Sequence, residues 1–178
     1  MDNTPVGRFV FALAGGMAIA GGVSLAAATA VTVLSVIGRL LIPIGLGPVP
    51  GDVELVQAGI LFAIFVFLPW CHLERGHAVV AVLTDRFPVR FSAIAEFVWD
   101  VVMLIVASFI AWRLWIGLVD KYGNLESTFI LRLPLWIVYS GGMVGAVVFV
   151  IAAAYCAVRS GSNAFSVSPA RPQAGAGE

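Results

Sequence analysis

FVFALAGGMAIAGGVSLAAATAVTVLSVIG, residues Phe9 to Gly38, runs for 30 residues without a charged side chain. An α-helix rises about 1.5 Å per residue, so about 20 residues cross a hydrocarbon core about 30 Å thick. The run is long enough for one crossing and too short for two. Two further runs share its character: Leu55–Leu73, of 19 residues, and Leu133–Val158, of 26. A fourth candidate, Ile94–Val119, is charge-free only over Val101–Trp112, with Glu96 and Asp100 at its start and Arg113 in its last turns. Charges near the ends of a span can reach toward the headgroups. Backbone N–H and C=O groups find no water partner in lipid, so spanning segments pair them internally, as helices. The sequence therefore predicts an all-α membrane protein with four transmembrane helices, near 10–37, 53–72, 94–119 and 134–157.

The composition agrees with that reading and excludes others. Of 178 residues, 61% are hydrophobic and 11% charged, against roughly 25% charged in a soluble domain. Twenty charged side chains could not cover the surface of a soluble enzyme of this size. Net charge is zero and no Lys/Arg block occurs, so the chain has no electrostatic footprint for nucleic acid. No phosphate-cradling G-x-x-x-x-G-K-[ST] loop is present, which excludes ATP-driven work by this chain. Cys71 and Cys156 are isolated in apolar surroundings, without metal or disulfide-framework spacing. His72 and His77 are five residues apart and share a helix face poorly, which speaks against a haem held by this chain. The spans lack the series of ionisable groups that a translocation pathway carries.

The first apolar run exceeds the 7–15 residues of a secretory signal core, so it reads as an uncleaved span. Three segments follow: 1–8 as a cytoplasmic N-terminus, 9–158 as the four-helix domain, and 159–178 as a disordered cytoplasmic tail rich in Ser, Ala, Gly and Pro. Orientation rests on the positive-inside bias. With four spans, Arg8, Arg75, Arg86, Arg90, Arg159 and Arg171 share one side, and Arg39, Arg113, Lys121 and Arg132 the other. Six against four places both termini in the cytoplasm.

Within the spans, helix one is small-sided. Ala14, Ala18, Gly22, Ala26 and Ala30 recur at spacing four, and a second stripe runs Ala12, Gly16, Ala20, Ser24, Ala28, Thr32. Small residues let helix backbones approach closely in lipid. Such stripes serve packing within the bundle, against another subunit, or both. Gly141 and Gly145, with Gly142 beside them, give helix four a similar face.

Helix two opens at Pro50-Gly51-Asp52-Val53-Glu54. Asp52 reads as its N-cap and Glu54 as a first-turn carboxylate favoured by the helix dipole. Pro69-Trp70 closes the span. Between helices two and three, Val79, Val80, Val82, Leu83 and Phe87 recur near helical spacing up to Pro88. That pattern predicts a short amphipathic helix lying in the headgroup plane, with a solvated loop as the alternative. Glu96 and Asp100, four apart, read as an interfacial anchoring pair or as partners of Arg86 or Arg90. Pro134 suits a first helical turn, and Trp136 and Tyr139 an interfacial aromatic belt.

In order and spacing these elements resemble the small permease subunit (DctQ-type) of tripartite ATP-independent periplasmic (TRAP) transporters. The resemblance is carried by Arg39, by Gly51-Asp52-Val53-Glu54-Leu55, by Gly76-His77-Ala78-Val79-Val80, by Asp85-Arg86-Phe87-Pro88, and by Glu126-Ser127, Leu133-Pro134-Leu135-Trp136 and Tyr139. It covers roughly residues 8–158. One departure stands out: the family often carries an Asp where this chain has Ala81.

The resemblance implies a place in a three-part uptake system. A large multi-span permease holds the substrate and sodium sites and moves its transport domain like an elevator. A periplasmic binding protein delivers an organic anion, often a carboxylate. The small subunit enlarges the fixed scaffold in the bacterial inner membrane, with no cofactor of its own, sodium being expected on the large subunit. Arg39, Asp52, Glu54, His77, Glu126, Ser127, Pro134 and Trp136 are then motif or interface candidates. The outer face with Asp52, Glu54, Lys121, Asn124 and Glu126 is where the soluble protein would land. The small four-span subunit of the tripartite tricarboxylate transporters shares the size and span count, and a membrane haem or redox subunit is a more distant alternative.

Overall fold

The computed structural model describes residues 5–74 and 89–166, the side chains of 89–93 and 163–166 excepted. Four long helices make up almost all of it: α1 (Pro5–Leu40), α2 (Asp52–Leu73), α3 (Val89–Gly123) and α4 (Leu135–Ser166), with a single 3₁₀ turn at Ile42–Ile44. All four are long and apolar enough to cross a membrane. The chain is a multi-pass, all-helical membrane protein. The amphipathic segment expected over residues 79–87, and His77 before it, lie outside the described residues.

The helices pack in a row rather than a closed bundle. The order in space is α1, α2, α4, α3, with α1 also touching α4 lightly. Because α3 reaches the row only through α4, it is the least enclosed, and 11% of its most apolar stretch is buried against 44% for α4.

The α1–α2 seam follows a heptad. Gly7, Ala14, Gly21, Ala28 and Ser35 are buried, each seven residues from the last, with Val10 joining them. Seven residues make nearly two turns, so one line of small residues stays aimed at the neighbouring helix. Large side chains of α2 fill the space that line leaves. A Cβ added at Gly21 would meet Val66 at 2.7 Å, and one at Gly15 would meet Trp70 at 3.1 Å. Ser24 Oγ donates to the Gly59 carbonyl at 3.1 Å, tying the backbones directly.

The stripe at spacing four behaves differently from the heptad. Each step of four advances about 40° beyond a full turn, so Ala30 lies about 160° around the helix from Ala14. Ala14 is buried and Ala18 half-buried, whereas Gly22, Ala26 and Ala30 are exposed. This stripe winds out of the intramolecular seam.

On α4 the glycines face α2. A Cβ at Gly145 would strike the backbone of Phe65 at 2.7 Å, one at Gly142 would meet Leu61 at 3.1 Å, and one at Gly141 would meet Phe62 at 3.3 Å. Aromatic rings close the α3–α4 seam at both ends, Tyr139 over Gly117 and Phe97 over Gly161. Between them Ala107 of α3 is fully buried against Phe149 and Ala153.

Two helix ends differ from the sequence-based expectation. Pro69 does not stop α2, which runs on to Leu73 with Pro69 buried inside it. Helices in lipid tolerate such a proline because neighbouring elements and local adjustment satisfy the freed backbone group. The fourth helix continues past Arg159 to Ser166, into residues whose composition reads as tail. Ser160 explains part of this, since it is buried against α3.

The packing sets a contrast. Gly145→Ala should lower the stability of the detergent-solubilised chain by about 1–3 kcal/mol, as overpacking does. Gly22→Ala, with nothing within 4 Å of the added carbon, should stay within about 0.5 kcal/mol of the parent. Thermal unfolding followed by tryptophan fluorescence checks both.

Candidate functional site

The polar side chains gather at the two ends of the row. At the end formed by the α1 C-terminus and the α2 N-terminus, the loop 41–51 turns on two glycines with positive φ, Gly45 at 90° and Gly51 at 73°. Gly51, not Asp52, is the N-cap of α2. It must be glycine twice over: its backbone is left-handed, and a side chain there would collide with Leu131. Asp52 is thereby displaced into the first turn, where it reaches back across the loop to α1. It accepts hydrogen bonds from Ser35 Oγ and, at 3.2 Å, from Arg39 Nη2. The Arg39 side chain is mostly exposed, so that ion pair adds little by itself. The buried Ser35 contact fixes the geometry.

Glu54, two positions further into the first turn, reaches the connection between α3 and α4. Its Oε1 accepts the Ile130 N–H and its Oε2 the Leu131 N–H, each at 2.9 Å. That connection is a short hairpin. Thr128 N–H donates to Leu133 O at 2.9 Å, Leu135 N–H donates to Glu126 O at 2.9 Å, and Ser127 pairs with Pro134 as an isolated antiparallel bridge. Leu125 and Arg132 adopt left-handed backbone, at φ 49° and 50°. For residues of that bulk such φ is strained, and strain of this kind persists only where the surroundings over-determine the conformation. Here they do: Glu54 holds the far side of the hairpin, and Lys121 Nζ donates to Glu126 Oε2 at 2.7 Å on the near side. Asn124 Nδ2 donates to Asp120 Oδ1 at 3.1 Å. Trp136 stands edge-on to Tyr122, with centroids 6.0 Å apart. The result is a stiff platform, presenting Leu125, Phe129 and Ile130 to the exterior, with Phe129 fully exposed.

Most of the motif residues thus meet at one end. Arg39 and Asp52 pair. Glu54, Glu126, Ser127, Pro134 and Trp136 build or clamp the hairpin. Ser35, Thr128 and the amides of Ile130 and Leu131 complete the set, and the sequence reading did not single them out. A serine in an apolar helix and two backbone N–H groups carry no sequence signal.

At the opposite end three helices contribute to one buried polar cluster. His72, from the last turn of α2, is 3% exposed and stands edge-on to Phe149. Its Nε2 lies 3.8 Å from Asp100 Oδ1 of α3. Ser160 Oγ of α4 contacts Asp100 Oδ2 and lies 2.9 Å from the Cys156 carbonyl. Asp100 therefore meets α2 and α4 through His72 and Ser160, while Arg86 and the side chain of Arg90, its other expected partners, lie outside the described residues. Ties of this kind hold α3, otherwise attached by packing alone, in a fixed register.

Among the described residues no three His, Cys, Asp or Glu side chains converge as a metal ion requires. A groove along α2, lined by Gln57, Ile60, Leu61, Ile64 and Phe65, is apolar but for Gln57. What the arrangement offers is rigidity and surface.

The hairpin makes a direct prediction. Hydrogen bonds to a charged acceptor are worth about 1.5–3 kcal/mol each. Glu54→Ala should therefore speed amide exchange at Ile130 and Leu131 by roughly tenfold or more, while α4 amides near Gly145 keep their protection. Hydrogen–deuterium exchange with mass spectrometry reads both.

The comparisons with known proteins point one way. The family model described as "Tripartite ATP-independent periplasmic transporters, DctQ component" matches residues 28–161. No curated protein and no solved structure matches the chain.

Proposed function

The chain belongs to the DctQ family of tripartite ATP-independent periplasmic transporters, and from that premise we propose that it is the small scaffold subunit of a sodium-coupled uptake system for an organic anion. The family is a transporter component, which sets aside the tricarboxylate and redox alternatives. In this reading the subunit sits in the bacterial inner membrane with both termini in the cytoplasm. A large permease carries the substrate and sodium sites, and a periplasmic binding protein brings the anion, of carboxylate type.

The observation that carries the reading is the row of four helices with its ion pairs and its clusters of hydrogen-bonded polar side chains gathered at the ends. Between those ends the described helices bury one line of small residues against each other and leave Gly22, Ala26, Ala30 and many large apolar residues on the exterior. Such a slab is suited to being added to the fixed part of a larger membrane assembly. The hairpin platform at the Asp52 end supports a second role, as part of the landing surface for the soluble binding protein. Glu54 and Glu126 are engaged in holding that platform, so Asp120, Asn124 and the exposed Phe129 are the better candidates for direct contact.

Reconstitution tests this. Vesicles holding this chain alone should accumulate no organic anion. Vesicles holding it with its large permease should do so when the binding protein and an inward sodium gradient are supplied, and omission of any one part should reduce uptake to background. Uptake by this chain alone, or undiminished uptake without it, would count against the proposal.

A further inference from the structure

Arg113 is the one charge that the apolar stretch of α3 carries beyond the ends of the row. Its level in the membrane can be counted from the His72–Asp100 side-chain contact, which puts those two residues of α2 and α3 at one level. Asp52 precedes His72 by 20 residues, and Asp120 follows Asp100 by 20. Asp52 and Asp120 therefore mark one polar level, and His72 and Asp100 the other. Arg113 is seven residues short of Asp120, about 10 Å inside that level. It is also exposed, on the arc of α3 turned away from α4, among Phe109, Trp112 and Ile116. Among the described residues it makes no hydrogen bond or ion pair.

A guanidinium at this depth needs an anionic or carbonyl partner. Among the described residues no carboxylate is paired with it: Asp120, seven residues on, is engaged with Lys121 and Asn124. The apolar stretches 9–38, 55–73 and 133–158 hold no acidic residue, and Asp52, Glu54 and Asp100 at the ends are engaged with Ser35, with the hairpin and with Ser160. A second copy fails for the same reason. Lipid phosphate is poorly placed as well. Side chains leave a helix tilted toward its N-terminus, which for α3 is the far level, so reaching the nearer headgroups means doubling back along the helix.

We propose that the Arg113 face of α3 is seated against the large permease, with the guanidinium paired to a carboxylate on one of that subunit's membrane helices. The proposal rests on the reading of the chain as the small subunit. It assigns α3, the end helix of the row, packed along its length against α4 alone, as an inter-subunit helix.

The test is co-purification in mild detergent, combined with photocrosslinking. With the wild-type chain tagged, Arg113→Leu should reduce the recovered large permease roughly tenfold or more, and Arg113→Lys should retain most of it. Because Arg113 makes no hydrogen bond or ion pair among the described residues, Arg113→Leu should leave membrane yield and unfolding temperature unchanged. A benzophenone amino acid at Ile116 should crosslink to the large permease. Recovery of the permease by Arg113→Leu at the wild-type level, or crosslinking from Ile116 to phospholipid alone, would overturn the assignment while leaving the subunit reading intact. Failure of the wild-type chain to recover any permease would overturn the subunit reading itself.

Discussion

Helices in lipid have no hydrophobic reason to prefer one another over acyl chains, so close backbone approach is the constraint on which this structure depends. Each seam meets it in its own way. The α1–α2 seam uses a heptad of small residues on one side and large residues on the other. The α2–α4 seam brings Gly145 onto the backbone of Phe65. The α3–α4 seam sets an aromatic ring over a glycine at either end, with Ala107 between them. Dispersion contacts are individually weak and accumulate only at close packing, so a single added methyl group at a seam glycine removes many at once.

Packing alone leaves sliding and rotation poorly determined, and the polar residues settle both. Ser35 and Arg39 on Asp52 fix α1 against α2 across the loop. Glu54 on the Ile130 and Leu131 amides fixes α2 against the α3–α4 connection. His72, Asp100 and Ser160 fix α2, α3 and α4 at the other end. Every seam of the row therefore has a polar tie near at least one terminus. In the low-dielectric margin of a membrane a satisfied polar contact specifies one geometry, because the alternatives leave the same groups unpaired. The left-handed Leu125 and Arg132 are a local cost that these ties offset.

This division explains what could be read in the sequence. The four spans were legible because lipid leaves the backbone one solution and the charge-free runs are long. The glycine face of α4 was legible because neighbouring small residues at spacing four share a face over a turn or two. On α1 the same spacing misleads over five residues, since its 40° drift carries Gly22, Ala26 and Ala30 out of the seam while Gly21, Ala28 and Ser35 stay in it. The polar ties were the least legible part. Asp52 and Glu54 look alike as first-turn carboxylates, yet one reaches back to α1 and the other forward to a hairpin 76 residues away. Asp100 lies four residues from Glu96, but its contacts described here come from other helices. Pairings across such distances arise from the row order α1, α2, α4, α3, which no local pattern encodes.

The row order also bears on how a small subunit can serve a larger assembly. A closed four-helix bundle would turn its small residues inward and show lipid an unbroken apolar wall. An open row has two broad sides and two end helices, so it can be clamped flat against a larger body without rearranging. Its stiffness then matters more than its area, because a scaffold that deforms cannot resist a neighbour that moves. Here the stiffness comes from the held α3–α4 hairpin, three tight seams and polar ties near the ends, all of which lie within one chain. What the row leaves over is what a partner would need: exposed small residues at Gly22, Ala26 and Ala30 on one end helix, and on the other an exposed Arg113 with no ion pair among the described residues.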